Sequence, residues 1–271
     1  MSVGIWTFSF EDKEISAVRE AAADVEELGF DTLWFGEAMG REAYTHAGVL
    51  LAATRTLRVA TGIANIARRD PLAAAGAEQL LNRAYPGRFV HGLGGQRVGA
   101  NPVNAVRDYL AAMDEALPGP RPQRLLAALG PRMLELSRDN ADGAHPYFVP
   151  VEHTALARET LGPKAFLAVE QAVVLDGSRG HELAREHVAF YAKNAPHQQL
   201  NLRRLGFTDH DLSTISDRLV DAIVAYRGDQ SVADRVQAHL DAGADHVCLQ
   251  VITDDDRIPL PEWRHLATLV H

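Results

Sequence analysis

The most informative stretch of the sequence is Leu125-Leu-Ala-Ala-Leu-Gly-Pro-Arg-Met-Leu-Glu-Leu136. A short apolar run meets a Gly-Pro break and continues at once as a helical pattern. This order is typical of a parallel strand that leads directly into the first turn of a helix. Backbone N–H groups and the helix dipole at such a junction favour a phosphate group. The stretch therefore predicts a strand–helix unit with an anion site beside it.

The same alternation of strand and helix extends along the chain in both directions. Eight near-continuous apolar runs are typical of parallel strands covered on both faces, and they span Val3–Phe8, Thr32–Glu37, Leu57–Ala64, Arg88–Leu93, Arg124–Leu129, Ala144–Val149, Phe166–Leu175 and His246–Ile252. Helix starts are indicated between them by Asp70-Pro71, by Asn101-Pro102 and by a capping-box-like Ser231. The pattern predicts an α/β fold, a single (β/α)8 TIM barrel, with an open doubly wound sheet as the alternative.

The connection between the seventh and eighth predicted strands is too long for one helix. Further polar and helical segments run from Ala195 to Ser231. We interpret them as an insertion at the edge of the barrel, because so short a segment cannot build a core of its own. Residues 1–271 are therefore predicted to form one barrel domain that carries this insertion.

Composition limits the possible functions. Of 271 residues, 27 are basic and 36 acidic, which gives a net charge of −9 and argues against a general nucleic-acid or membrane-surface binder. The single cysteine, Cys248, excludes an internal disulfide framework. The start of the sequence lacks signal-peptide features, and no apolar run approaches the roughly 20 residues that span a bilayer. We expect a cytoplasmic protein in which arginines and backbone dipoles hold any anionic ligand.

Barrel active sites lie at the carboxyl ends of the strands. Polar residues predicted there include Glu37, Asn65, the pair Arg68-Arg69, and His145. Each also has a plainer interpretation: a helix-start carboxylate, a loop amide, a solvated basic face or a buried structural histidine.

Three common kinds of site are disfavoured. The glycines from Gly92 to Gly95 are followed by Arg97 where a dinucleotide fingerprint needs a third glycine. His181 and His187 are six residues apart and do not share a helix face, which argues against zinc. No Gly-x-Ser-x-Gly elbow is present in the sequence. The remaining features favour a mouth in which a bound cofactor performs the chemistry.

Several segments, taken in order, resemble the bacterial luciferase-like family, and more specifically its actinobacterial branch of coenzyme F420-dependent oxidoreductases. The resemblance covers nearly all of the chain. Its most specific segments are Gly4-Ile-Trp-Thr-Phe8, Thr32-Leu-Trp-Phe-Gly-Glu-Ala38, Ala60-Thr-Gly-Ile-Ala-Asn-Ile66, Gly87-Arg-Phe-Val-His-Gly-Leu-Gly94, Leu129-Gly-Pro-Arg-Met-Leu134 and Ala141-Asp-Gly-Ala-His-Pro-Tyr147.

The resemblance implies a set of site residues. It implies a cis peptide at Gly62-Ile63 behind the cofactor ring, and a phosphate turn in which Pro131 offers no N–H, so that donors come from Arg132 and Met133. The cofactor-binding residues implied are Gly62, Ile63, Ala64, Asn65, Gly94, Gly95, Gln96, Leu129, Gly130, Arg132, Met133, Tyr147 and Phe148. Glu37 and His145 are the candidates for proton transfer, and no metal is implied. Arg68, Arg69 or Arg97 would meet the acidic tail of the cofactor.

The resemblance leaves three functions open. The first is hydride transfer between coenzyme F420 and a small organic substrate. The second is an FMN-dependent monooxygenase. This function is favoured if Arg68, Arg69 and Arg97 all point away from the mouth of the barrel. The third is a non-catalytic barrel, because the loop from Gly95 to Ala100 is shorter than in relatives of this branch. Members of the family are commonly homodimers, so the resemblance implies a homodimer.

Overall fold

The computed structural model describes residues 2–38, 40–95 and 100–270. Its strands are β1 (Val3–Thr7), β2 (Thr32–Phe35), β3 (Arg58–Thr61), β4 (Ala64–Asn65), β5 (Phe89–Gly94), β6 (Gln123–Leu126), β7 (Gly143–Ala144), β8 (Phe166–Val173), β9 (Val224–Ala225) and β10 (His246–Val251). Its helices are α1 (Ile15–Glu27), α2 (Ala43–Ala53), α3 (Pro71–Ala84), α4 (Pro102–Ala116), α5 (Pro131–Asn140), α6 (Val151–Leu161), α7 (Gly180–Asn194), α8 (Pro196–Arg204), α9 (Asp209–Thr214), α10 (Asp217–Ile223), α11 (Asp229–Asp241) and α12 (Leu260–Val270).

The strands close into a parallel barrel. β1 pairs with β2 on one side and with β10 on the other, and β10 pairs in turn with β8. The remaining barrel strands follow in chain order, with β4 continuing the path of β3 beside β5. The predicted (β/α)8 barrel is therefore confirmed, and the open-sheet alternative is wrong.

The inside of the barrel is filled mainly by aromatic and small side chains. Trp6 and Trp34 are buried there with Ala60, Val90, Leu125, Ala168 and Cys248. Each indole N–H has a histidine partner: Trp6 Nε1 donates to His145 Nε2 at 3.2 Å, and Trp34 Nε1 donates to His246 Nε2 at 3.0 Å. Because buried polar groups need partners, these bonds fix both rings in the barrel axis.

A buried charged network joins the barrel to its outer helices. Glu78 on α3 accepts two hydrogen bonds from Arg124 at 2.7 and 2.8 Å, and it also contacts His91 Nδ1. Burial raises the pKa of Glu78, but the hydrogen bonds from His91 and Arg124 outweigh it and lower the pKa to about 2. The carboxylate is therefore ionised throughout the physiological range and ties α3 to β5 and β6.

The predicted helix starts agree with the structure at two of three positions. Asp70 accepts from Ala73 N, and Asn101 accepts from Val103 N, each directly before a proline in the first turn. The expected start at Ser231 is wrong, because α11 begins at Asp229 after Gly228. Ser231 lies inside the first turn, where its hydroxyl donates to Gly228 O at 2.7 Å.

Two predicted strands are interrupted. The run from Leu57 to Ala64 divides into β3 and β4 around a cis peptide bond between Gly62 and Ile63. Of the run from Ala144 to Val149 only Ala144 belongs to a strand, β7, and Phe148 further along takes a left-handed conformation with φ of +60°. In both places the interruption turns residues towards the carboxyl end of the barrel.

The segment between β8 and α11 holds α7 to α10 and the short strand β9, which extends the sheet beside β8. These elements share a second apolar cluster built around Leu183, Leu202, Leu219 and Ile223. The cluster fixes α8 over the carboxyl end of the barrel, which is where the predicted insertion lies. In the part of the chain that the structure describes, no helix combines the length and apolarity needed to cross a membrane.

Candidate functional site

A cavity of about 640 Å³ opens at the carboxyl ends of the barrel strands. Its walls come from the ends of β3, β5, β6 and β7, from the start of α4, and from α8 of the insertion. The lining residues are Ile63, Gly95, Pro102, Val103, Ala127, Ala128, Leu129, Gly130, Pro131, Arg132, Met133, His145, Tyr147, His197, Gln198, Leu200 and Arg204. The inner walls are mostly apolar, whereas the outer end carries the basic side chains.

The floor of the cavity is closely packed. The cis peptide precedes Ile63, which lines the cavity, and a Cβ added at Gly62 would lie 2.5 Å from Trp6 Nε1 and 3.0 Å from His145 Nε2. Such contacts are shorter than van der Waals distances, so only glycine fits between the Trp6 ring and the cavity wall. This arrangement brings the backbone of the break between β3 and β4 directly over the aromatic core.

His145 is held at the floor by both ring nitrogens. Nδ1 lies 3.0 Å from Ala168 O, and Nε2 accepts the indole N–H of Trp6, so the geometry requires a neutral ring protonated on Nδ1. The ring also stacks on Trp34 with centroids 4.3 Å apart. Burial lowers the pKa of His145 to about 4, which keeps it neutral at physiological pH.

Two arginines from different helices line the cavity. Arg132 lies in the first turn of α5, and Arg204 ends α8; a Cβ added at Gly130 would lie 2.9 Å from Arg204 Nη1. Among the described residues neither guanidinium forms an ion pair with a carboxylate. Two arginines without acidic partners beside a helix start form an anion-binding arrangement in a protein with net charge −9.

The backbone of this turn offers fewer donors than the resemblance implied. Met133 N already donates to Gly130 O at 3.0 Å, and Pro131 has no N–H. The anion-binding capacity therefore depends more on the two arginine side chains than on the main chain. Arg204 was missed by the sequence analysis, as were His197 and Gln198, because nothing in their local sequence indicates that α8 covers the barrel mouth.

Residues 1–117 match the family model described as luciferase-like monooxygenase. This part of the chain is similar to the luciferase-like family. A relative of 28% identity is the "Putative coenzyme F420-dependent oxidoreductase" of Mycobacterium tuberculosis, and the match covers 49% of this chain and 41% of that protein. The chain is thus matched over less than half the length of that relative.

Solved structures extend the likeness in fold over the whole barrel. An F420-dependent secondary alcohol dehydrogenase in complex with an F420-acetone adduct aligns with a TM-score of 0.78 at 15% identity, covering 100% of this chain and 99% of that one. The oxygenating constituent of 3,6-diketocamphane monooxygenase from Pseudomonas putida, in complex with FMN, aligns with a TM-score of 0.73 at 14% identity over 100% and 97%. At these identities the comparison establishes the fold alone.

The structure brings about half of the predicted site residues to the cavity. Those that line it are Ile63, Gly95, Leu129, Gly130, Arg132, Met133, His145 and Tyr147. Those that lie behind its wall or beside it are Glu37, Gly62, Ala64, Asn65, Gly94 and Phe148. Gln96 and Arg97 lie outside the described residues.

Glu37 lies outside the main cavity, in a cluster between β2, α2 and α3. It accepts from Asn65 N at 2.7 Å and from Ala43 N at 3.2 Å, and it is ion-paired with Arg69. Arg68 donates to Ala38 O in the same region. Both arginines therefore contact this cluster instead of the main cavity, where the acidic tail of a cofactor was expected to meet them.

Tyr147 forms one side wall of the cavity. Its hydroxyl donates to Gln250 Oε1 at 2.7 Å and lies 2.6 Å from the hydroxyl of Tyr191, and its ring centroid lies 5.0 Å from that of Trp6. Burial, together with nearby Tyr191 and Glu170, raises the pKa of Tyr147 well above its ordinary value. Tyr147 is therefore a protonated, hydrogen-bonded wall residue whose ring face is available to a ligand.

Proposed function

We propose that this protein is an oxidoreductase that binds coenzyme F420 in the main cavity and transfers a hydride between it and a small organic substrate. One observation carries the proposal: an apolar cavity at the carboxyl end of the barrel ends in two arginines, Arg132 and Arg204, without acidic partners. An apolar inner part suits a planar ring, and a basic outer part suits the phosphate and acidic groups that follow it.

The dimensions of the cavity support this fit. A volume of about 640 Å³ lies within the usual range of cofactor sites, roughly 300–1,000 Å³. Ile63 and the small residues Ala127 and Ala128 line the cavity, so its apolar part has room for a ring system. The named function of the 28% identical M. tuberculosis relative favours the same cofactor.

The bound deazaflavin would supply the hydride chemistry at its ring. The residues of the chain would bind and orient it: Arg132 and Arg204 neutralise its anionic groups, and Tyr147 and Ile63 flank the ring. His145 supports the floor as a neutral ring, since both of its nitrogens are already engaged. The Glu37 carboxylate accepts a hydrogen bond from the backbone N–H of Asn65 and so positions that residue. The same carboxylate is ion-paired with Arg69. The resemblance suggested Glu37 and His145 for proton transfer, whereas their geometry supports a role in positioning neighbouring groups.

An FMN-dependent monooxygenase is the second candidate, and one observation favours it. Arg68 and Arg69 make their contacts away from the main cavity, so they do not provide the expected basic track for a long acidic tail. Arg132 and Arg204 suffice for the single phosphate group of FMN. The choice therefore depends on whether the pair at the cavity mouth binds a short or an extended anion.

Titration of the protein with coenzyme F420 and with FMN, followed by ring fluorescence, separates these candidates. We expect binding of F420 with micromolar or better affinity and weaker binding of FMN. Tight binding of FMN alone would replace the first proposal by the second, and binding of neither would favour a non-catalytic barrel. Arg132→Ala should weaken binding while the far-UV circular dichroism stays unchanged; an unaltered affinity would remove Arg132 from the site.

The cytoplasmic location and the homodimer remain predictions. Fractionation of the native host and sedimentation of the purified protein would test them.

A further inference from the structure

Glu170 is a buried carboxyl group that none of the roles above employs. It lies on β8 with only 1% of its surface exposed. Side chains alternate along a strand, so Glu170 lies on the same face as Ala168, which packs with Trp6 and Cys248 inside the barrel. Glu170 is therefore one step nearer to the cavity end of the barrel interior than Ala168.

Glu170 contacts the main chain on both sides of Tyr147. Its backbone N–H donates to Pro146 O at 3.2 Å, and its carboxyl Oε2 accepts from Phe148 N at 2.9 Å. Phe148 has the left-handed φ of +60°, which is uncommon for a large side chain. One residue of β8 thus fixes the two peptide groups that determine where the Tyr147 ring lies.

Within residues 2–38, 40–95 and 100–270, no cationic side chain pairs with the Glu170 carboxyl. The titratable groups that face it are Tyr147 on the loop after β7, Tyr191 on α7 and Cys248 on β10, and the nearby ring of His145 is neutral. Burial raises the pKa of Glu170 to about 8, although the hydrogen bond from Phe148 N opposes the shift. Among the described residues Oε1 has no hydrogen-bond partner.

We propose that Glu170 is a positioning residue of the cavity, which holds the segment Pro146–Phe148 so that the Tyr147 ring forms a wall against the bound ligand. This inference rests on the proposed function, since it assigns the cavity to a planar cofactor. One feature distinguishes Glu170 from an ordinary buried carboxyl: its Oε2 accepts from the backbone N–H of Phe148, a residue with left-handed backbone that directly follows the lining residue Tyr147. The contact with Pro146 O comes from the main chain of Glu170 and is kept in both variants.

The test uses Glu170→Gln and Glu170→Ala. The Gln side chain keeps a carbonyl oxygen for Phe148 N, whereas Ala removes the acceptor. Val169→Ala is the matched control, because Val169 is the buried neighbour on β8 whose side chain points to the opposite face. Amide hydrogen exchange of the peptide that spans residues 145–150 is measured in the ligand-free protein, and the dissociation constants for coenzyme F420 and FMN are measured by ring fluorescence.

We expect Glu170→Ala to accelerate exchange in this peptide at least tenfold and to weaken cofactor binding about tenfold. Glu170→Gln should bind the cofactors within about twofold of the wild type and should exchange no faster than the wild type, and Val169→Ala should change global stability without selective exchange at residues 145–150. Wild-type exchange and affinity in Glu170→Ala would overturn the inference, as would equal losses in Val169→Ala. If the wild type binds neither cofactor, the proposed function fails, while the exchange measurement still decides the role of Glu170.

Discussion

Glu170→Gln should change how the stability of the protein depends on pH. The pKa of Glu170 is raised by burial from its ordinary value of 4.5 to about 8 in the folded protein. For a group whose pKa is raised by folding, the stabilising contribution is complete below pH 4.5 and is lost as the pH rises through 8. For each pH unit between these limits, the free energy of unfolding of the wild type falls by about 1.4 kcal/mol. At pH 7 the cumulative loss is on the order of 3 kcal/mol.

Glutamine cannot ionise, so Glu170→Gln escapes this loss. The free energy of unfolding of the variant minus that of the wild type should grow by about 2 kcal/mol between pH 6.0 and pH 7.5. Urea unfolding followed by circular dichroism measures this difference at four pH values. Both proteins contain the same buried histidines, so the contributions of those residues cancel in the difference. A difference that stays constant within about 0.5 kcal/mol across this range would refute the assignment of a neutral carboxyl at Glu170.

Three further substitutions test other parts of the structure. Arg204→Ala should weaken cofactor binding about tenfold in a fluorescence titration, because a charge-assisted hydrogen bond contributes on the order of 1.5 kcal/mol; Arg203→Ala, whose guanidinium pairs with a carboxylate on α9, should leave the affinity unchanged. Glu78→Gln should lower the free energy of unfolding by about 3 kcal/mol at pH 7, since it leaves a buried network without its central charge. Because hydrogen bonds hold the pKa of Glu78 at about 2 despite burial, the advantage of the wild type should shrink as the pH falls from 4.5 towards 2, and a pH-independent difference in urea unfolding would contradict this. Gly62→Ala should cost about 1–3 kcal/mol and alter the near-ultraviolet circular dichroism of Trp6, which its Cβ would approach to 2.5 Å; wild-type stability and spectrum would show that the floor is not so tightly packed.

The barrel was predictable because its signals are local. Apolar runs without alternation indicate parallel strands, and Asp70 and Asn101 before prolines indicate helix starts, so strand–helix order follows from the sequence. The length of β7 was not predictable in the same way. Tyr147-Phe-Val149 has strand propensity, but the left-handed Phe148 depends on an acceptor 22 residues further along the chain, Glu170.

In the candidate site too, residues marked by local sequence were predictable, whereas residues placed by tertiary packing were not. The junction from Leu129 to Met133 was predicted because the strand, the Gly-Pro break and the helix are contiguous. Arg204 was not, since a basic residue near the end of a helix is usually solvated and only the packing of α8 places it over Gly130. The partner of Glu37 was equally hidden from the sequence: its place after a strand suggested chemistry, and the ion pair with Arg69, 32 residues away, is visible only in the fold.

Two of the three tryptophans of the chain are placed so that their fluorescence can report on the cavity. Trp6 and Trp34 lie in the barrel axis below the cavity, while Trp263 is buried on α12 against Phe10. A yellow chromophore seated in the cavity would lie close to the axial pair and would quench its emission by resonance energy transfer. Intrinsic emission therefore reports on occupancy of the barrel.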